Sequence, residues 1–264
     1  MRLKTGQVSY RKGLYPKSKG VSELNEEEKE INSLEYQISI RKITLWLTLI
    51  TLILNFLGVF GRGVEFLLGI EETTEIVRLV HVAEKGNLTT WFSAMLLFFS
   101  SFLLAFISRT IYKLKKPFMW HWIFLSLIFF LMSLGEAARI HELTFEALDP
   151  LFTTSDVFRY LWVILAILLL SFVVLTYANY LIHLPKKSRV LFIISGIIFV
   201  LAAVGIDIVG GILISRNSVP RLLEPFLITI EELVENLAIV LFIYALLSHI
   251  KYHMEISEIK FQVS

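Results

Sequence analysis

The chain has 264 residues, of which 56% are hydrophobic and 18% charged, with a mean hydropathy of +0.70. A soluble domain holds about 25% charged residues and somewhat under half apolar ones, so neither a water-soluble globule nor a disordered chain fits. There is no cysteine, which excludes disulfides and thiolate chemistry, and a formal net charge of +2 leaves no electrostatic footprint for nucleic acid. Three Gln among many Lys and Glu lean towards a thermophilic source.

Residues 1–42 read as an N-terminal extension without the apolar core or small-residue cleavage site of a signal peptide. Residues 1–20 are basic and are expected to lie on anionic lipid. Asn25-Glu26-Glu27-Glu28 reads as a helix cap, and Ile31, Leu34 and Ile38 follow at helical spacing. A short amphipathic helix is predicted there, either solvated or serving as an oligomer contact.

Residues 43–250 hold six apolar stretches near the ~20 residues that cross hydrocarbon as a helix. They are 43–61, 89–108, 118–136, 158–182, 190–214 and 225–250, with a tail at 251–264. The predicted fold is all-α, a polytopic membrane helical bundle with six transmembrane helices. Segments 1–42, 109–117, 183–189 and 251–264 carry 18 of the 25 Lys and Arg. By the positive-inside rule these face the cytoplasm, with both termini inside. Fifteen of the 23 Asp and Glu fall in the outer loops or the outer halves of the spans.

Between the first two spans, Glu71–Lys85 carries Ile76, Leu79, Val80 and Ala83 at helical spacing. A helix along the outer interface is predicted, turning His81 and Glu84 to one side. Trp46, Trp91, Trp120, Trp122 and Trp162 fall near the predicted interfaces, as an aromatic belt does. His121, His183, His249 and His253 fall at the inner ends of spans, where interface anchoring accounts for them.

Ionisable groups inside spans cost about 2.5–3.5 kcal/mol each on insertion scales, so each needs a reason. The sixth span carries Glu231, Glu232, Glu235 and Asn236. At ~100° per residue these cover an arc of about 140°, and Glu235 lies about 15 Å in from Pro225. Such carboxylates need a proton, a cation, a basic partner or water. In the fifth span Gly196, Ala203, Asp207, Gly210 and Gly211 share one stripe. Small residues permit close helix approach, which would bring Asp207 to the sixth-span glutamates. The third span ends in Glu136, Arg139, His141 and Glu142; the first, second and last of these are spaced to form a ladder.

Carboxylates with imidazoles form the ligand set of a divalent metal, and carboxylates alone suit a hard cation or a cation path. The candidate metal ligands are Asp207, Glu231, Glu235, Glu136, His141 and His81, with Glu232 and Glu142 as candidate general bases. Three functions follow. The first is a metal-dependent enzyme acting on a lipid or isoprenoid at the outer leaflet. The second is an oligomeric cation channel or proton-coupled transporter. The third is a non-catalytic subunit of a membrane complex. Expected partners are membrane lipid and further copies of the chain, with no nucleic acid.

Asn87–Ser93, Ser133–Glu142 and Glu231–Asn236 resemble segments of a group of uncharacterised prokaryotic multipass membrane proteins. The resemblance spans 43–250 and implies the six-helix fold without an activity. The chain is more loosely similar to ceramidase-like membrane hydrolases, whose zinc is held by several His with Asp and Ser. Here the outer side offers two, His81 and His141.

Overall fold

A computed structural model describes residues 39–70, 74–81, 86–138, 155–206, 208–210 and 224–254. Its elements are all helical: α1 (Ile40–Leu67), α2 (Glu75–Arg78), α3 (Leu88–Lys113), α4 (Met119–Ala138), α5 (Ser155–His183), α6 (Lys186–Val200), a π-helical segment (Leu201–Ile206) and α7 (Glu224–His253). No strand occurs among the described residues. Five helical stretches are long and apolar enough to cross a membrane: Ile40–Leu67, Leu88–Lys113, Met119–Ala138, Lys186–Gly210 and Phe226–His253. In α5 the apolar stretch described is shorter, Leu170–His183. These helices suggest a membrane-embedded protein.

Burial divides the helices. In α7 and α3, 61% and 56% of the membrane-length apolar stretch is buried; in α1, α4 and the α6 span the shares are 17%, 11% and 12%. The last helix is therefore the pillar of the bundle, packing against α1, α3, α6 and the π segment. Its buried stripe runs Thr229, Asn236, Ile239, Ile243, Leu246, Ile250, with half-buried Glu232 in register. The alternating three- and four-residue steps are those of a left-handed helix–helix seam. The outward faces of α1, α4 and α6 carry exposed Leu, Ile and Phe (Leu45, Phe56, Phe60, Leu131, Ile197), as lipid-facing surfaces do.

α3 and α4 form a hairpin bonded by serines. Ser101 Oγ donates to Ser126 O at 2.8 Å, and Ser126 Oγ donates to Ser101 O at 2.9 Å. Ser133 Oγ donates to Ala94 O at 2.8 Å. Small hydroxyl residues let backbones approach and satisfy one another across the pair.

Helix α1 runs six residues past its predicted end, through Gly61-Arg62-Gly63. It stops in a Schellman turn: Gly69 takes φ +69°, Ile70 N–H bonds Glu65 O at 2.9 Å and Gly69 N–H bonds Phe66 O at 3.1 Å. Of the predicted interfacial helix over Glu71–Lys85, residues 74–81 are described, and within them the helix is the single turn Glu75–Arg78. Its anchor is buried Val77, while Ile76 and Leu79, expected on the buried face, are exposed. The chain leaves the helical path because Leu79 and Val80 are bound from the next helix. Leu88 N–H donates to Leu79 O at 2.7 Å, and Thr89 Oγ1 to Val80 O at 3.1 Å. Asn87 caps α3, its Oδ1 accepting from Thr90 N–H at 2.7 Å.

The small-residue stripe of the fifth span is also corrected. Leu201–Ile206 is π-helical, so the register assumed from Gly196 to Gly210 does not hold. Gly196 is exposed, and a Cβ at Gly196, Gly205 or Gly210 would meet nothing within 4 Å. The close approaches lie on α1 instead. A Cβ on Gly58 would stand 2.7 Å from Val80 O, and one on Gly61 2.9 Å from Val77 Cγ2. The turn Val77–Val80 rests on α1 at these two glycines. The N-terminal extension and its amphipathic helix, and residues 255–264 of the tail, lie outside the described residues.

Candidate functional site

The six Asp and Glu whose side chains are described lie towards one end of the bundle: Glu65, Glu75, Glu136, Glu231, Glu232 and Glu235. This acidic end is where α1 finishes and α7 begins. The two helices meet there around a cavity of about 10 Å³, lined by Val59, Arg62, His81, Phe226 and Thr229. That is room for about one water.

The α1 side of the seam was absent from the sequence reading. The buried residues of α1 are Thr51, Asn55, Gly58 and Glu65, with none of the aliphatic side chains that dominate the span. With half-exposed Arg62 they fall at steps of four, three, four and three, a polar heptad inside an apolar helix. Thr51 Oγ1 donates to Leu47 O at 2.9 Å, and Asn55 Nδ2 to Thr51 O at 2.9 Å. Asn55 Oδ1 has no hydrogen-bond partner among the described residues. Towards the helix end Glu65, 3% exposed, accepts from Thr74 N–H at 2.7 Å, Thr74 Oγ1 at 2.6 Å and Arg62 Nη1 at 3.1 Å. Glu65 is thus a fastening carboxylate that fixes the start of α2, with its charge answered by Arg62.

On the α7 side, Thr229 and Asn236 are buried and Glu231, Glu232 and Glu235 half-buried. Asn236 is 1% exposed, and neither its Oδ1 nor its Nδ2 has a hydrogen-bond partner among the described residues. Leaving a buried amide unbonded costs about 1–3 kcal/mol, so two bare atoms on one side chain are unusual. From Ile239 onward the stripe is aliphatic apart from its flanks. The polar part of the seam therefore ends near Asn236.

The predicted site residues separate as follows. Glu231, Glu232 and Glu235 share one and a half turns of α7, and Glu136 lies half-buried on the last turn of α4. His81 is 3% exposed, walls the cavity beside Arg62 and Thr229, and is itself not helical; its predicted partner Glu84 lies outside the described residues. Asp207, His141, Glu142 and Glu84 lie outside the described residues. The segment leading to Asp207 does pack on α7. Among the described residues, no three His, Asp or Glu side chains come together as a metal-ligand set.

The opposite, basic end is built from rings. His121 stacks on Tyr180 at 5.1 Å between centroids, and Trp122 meets Tyr180 at 5.6 Å and His249 at 5.3 Å. Tyr177 Oη donates to His121 O at 2.6 Å. His249 Nδ1 and Ser188 Oγ share a hydrogen bond of 3.0 Å between α7 and α6. Trp122, 2% exposed, and His249, 6% exposed, are core residues and not interface anchors. Trp46, Trp91 and Trp120 are exposed, as belt residues are.

The described residues are helical, and five helices long and apolar enough to cross a membrane suggest the class of the protein: a membrane-embedded helical protein. The model of the DUF8692 family, a domain of unknown function, matches residues 44–250, and the chain belongs to that family. No curated protein and no solved structure matches the chain.

Proposed function

We propose that this protein is an integral protein of the cell membrane, with six spans and both termini in the cytoplasm, and that the outer half of its bundle binds a cation. The observation that supports this reading is the change of character along α7. Its buried stripe is aliphatic from Ile250 to Ile239, then turns to Asn236, Glu232 and Thr229, with both polar atoms of Asn236 lacking hydrogen-bond partners among the described residues. Carboxylate and amide oxygens are hard donors suited to a hard cation or a proton. Glu231, Glu232 and Glu235 would form the site on α7, with Glu136, His81 and, beyond the described residues, Asp207, His141 and Glu142 as further ligands or bases.

A divalent metal held there would polarise a substrate oxygen or activate water, with Glu232 or Glu142 taking the proton. That is the enzyme form of the reading, with a lipid or isoprenoid as substrate. The channel or transporter form has its own support in the polar heptad of α1, which extends the seam from Glu65 to Thr51. Element analysis of protein purified without chelator, beside Glu235→Gln and Asp207→Asn, tests the common core. A near-stoichiometric cation that falls severalfold in both variants is expected. A wild-type protein with no bound cation, and no thermal stabilisation by any divalent or monovalent cation, overturns it.

A further inference from the structure

At the basic end, a cleft of about 530 Å³ opens between the start of α6 and the last turns of α7, lined by Lys186, Lys187, Val190, Leu191 and Tyr244. It is an open depression, wide to its surroundings. Its chemistry is divided. Lys186 and Val190 are four residues apart, as are Lys187 and Leu191, so each ammonium sits one helical turn from an aliphatic side chain. Lys187 Nζ lies 5.0 Å from the centroid of the Tyr252 ring on α7. This cation–π contact ties the Lys187 ammonium to α7.

Among the described residues, no carboxylate answers these charges. Ten Lys and Arg with described side chains lie towards this end: Arg41, Lys42, Arg109, Lys113, Lys115, Lys116, Lys186, Lys187, Arg189 and Lys251. No Asp or Glu is described there. An external anion would therefore find both lysines without a competing carboxylate among the described residues. Free phosphate would meet the lysines but leave Val190, Leu191 and Tyr244 uncovered, whereas a lipid presents an anion and a hydrocarbon tail in that order. We infer that this cleft binds an anionic phospholipid, its phosphate between Lys186 and Lys187 and an acyl chain over Val190, Leu191 and Tyr244. The inference rests on membrane embedding and is independent of the outer carboxylates.

Native mass spectrometry of detergent-purified protein, with phosphatidylglycerol or phosphatidylcholine added at equal concentration, tests it. Preferential retention of phosphatidylglycerol is expected. Lys186→Gln with Lys187→Gln should weaken that retention about tenfold or more, since each lysine near a lipid surface contributes severalfold in affinity. The pair Lys113→Gln with Lys116→Gln, the same charge change at the same end, should leave it within about twofold. Val190→Trp fills the apolar floor without touching charge and should also displace the lipid. Equal retention of the two lipids overturns the inference. So does equal loss in the two lysine pairs, undiminished binding in the Val190 variant, or displacement of the lipid by inorganic phosphate alone. Because the tryptophan variant keeps both lysines, it still decides the matter if the lysine pair fails to fold.

Discussion

Towards the acidic end, α1 and α7 bury Asn55, Glu65, Thr229 and Asn236; at the basic end, α4 to α7 meet through Trp122, Tyr177, Tyr180, Phe192 and His249. Rings fill most of the space there; His249 Nδ1 and Tyr177 Oη are hydrogen-bonded, while Tyr180 Oη has no partner among the described residues. The acidic end is the opposite case. It spends buried volume on amides and a carboxylate, of which Glu65 is fully engaged and Asn236 has no partner among the described residues. Packing of large rings accounts for the first end. At the second, an aliphatic residue in place of Asn236 would fill the same volume without polar atoms that lack partners among the described residues.

The sharpest way to break the acidic end is to push its loop off α1. Gly58→Ala puts a Cβ 2.7 Å from Val80 O, a backbone atom that is itself held by Thr89. A loss of about 1–3 kcal/mol is expected from overpacking against backbone. Gly63→Ala, five residues on, meets nothing within 4 Å and should gain about 0.5–1 kcal/mol from lost glycine entropy. Thermal melts in one detergent would show the opposite signs. Melting shifts of the same sign would remove the claim that the turn rests on Gly58. Gly196→Ala should behave like Gly63→Ala, because the tight interface expected on the fifth span is absent at that position.

Next in size is the fastening carboxylate. Glu65→Gln keeps the shape but loses the charge that accepts from Thr74 twice and from Arg62. Hydrogen bonds to charged groups contribute about 1.5–3 kcal/mol, so a loss in that range is expected. Glu75→Gln, on an exposed turn, should change stability by less than about 0.5 kcal/mol. If the two variants melt alike, Glu65 is not what holds the loop.

Asn236→Leu separates packing from function directly. With no hydrogen bond to lose among the described residues, the apolar replacement is expected to be neutral or to stabilise by about 1 kcal/mol. Under the cation-site reading it should at the same time reduce cation-dependent thermal stabilisation severalfold. A variant that gains stability and keeps the cation response would make Asn236 a packing accident and leave the site to the glutamates alone.

Much of the fold was legible because long apolar runs are hard to mistake. Predicted spans 89–108 and 225–250 match α3 (Leu88–Lys113) and α7 (Glu224–His253) in all but their ends. The polar heptad of α1 was also written in the sequence, at Thr51, Asn55, Gly58, Arg62 and Glu65. Averaging hydropathy over the span hides it, since four polar positions in a 28-residue helix barely move a mean. Other features were not legible in principle. A π turn at Leu201–Ile206 is a change of hydrogen-bond register that composition does not carry. Trp122 and His249 look the same in sequence whether they face lipid or a neighbouring helix, and only the packing of α4, α6 and α7 buries them. The interfacial helix failed because local periodicity over Glu71–Lys85 was outweighed by tertiary bonds from Leu88 and Thr89.

The smallest expected effect lies between the two ends, in the serine pair of α3 and α4. Ser101 and Ser126 each donate to the other's carbonyl, and their hydroxyl oxygens lie 3.2 Å apart. Interhelical bonds of this kind average about 0.6 kcal/mol, because the separated helices also find partners in the membrane. Ser101→Ala and Ser126→Ala should therefore each cost about 0.6 kcal/mol. Because the two hydroxyls are coupled, the double variant should cost less than the sum of the singles, which a double-mutant cycle measures. A strictly additive double variant would mean that each serine bonds a carbonyl independently. A cost of several kcal/mol would mean that this hairpin, and not the α1–α7 seam, carries the larger polar contribution to the fold. The contrast between the two ends would then have to be redrawn around the middle of the bundle.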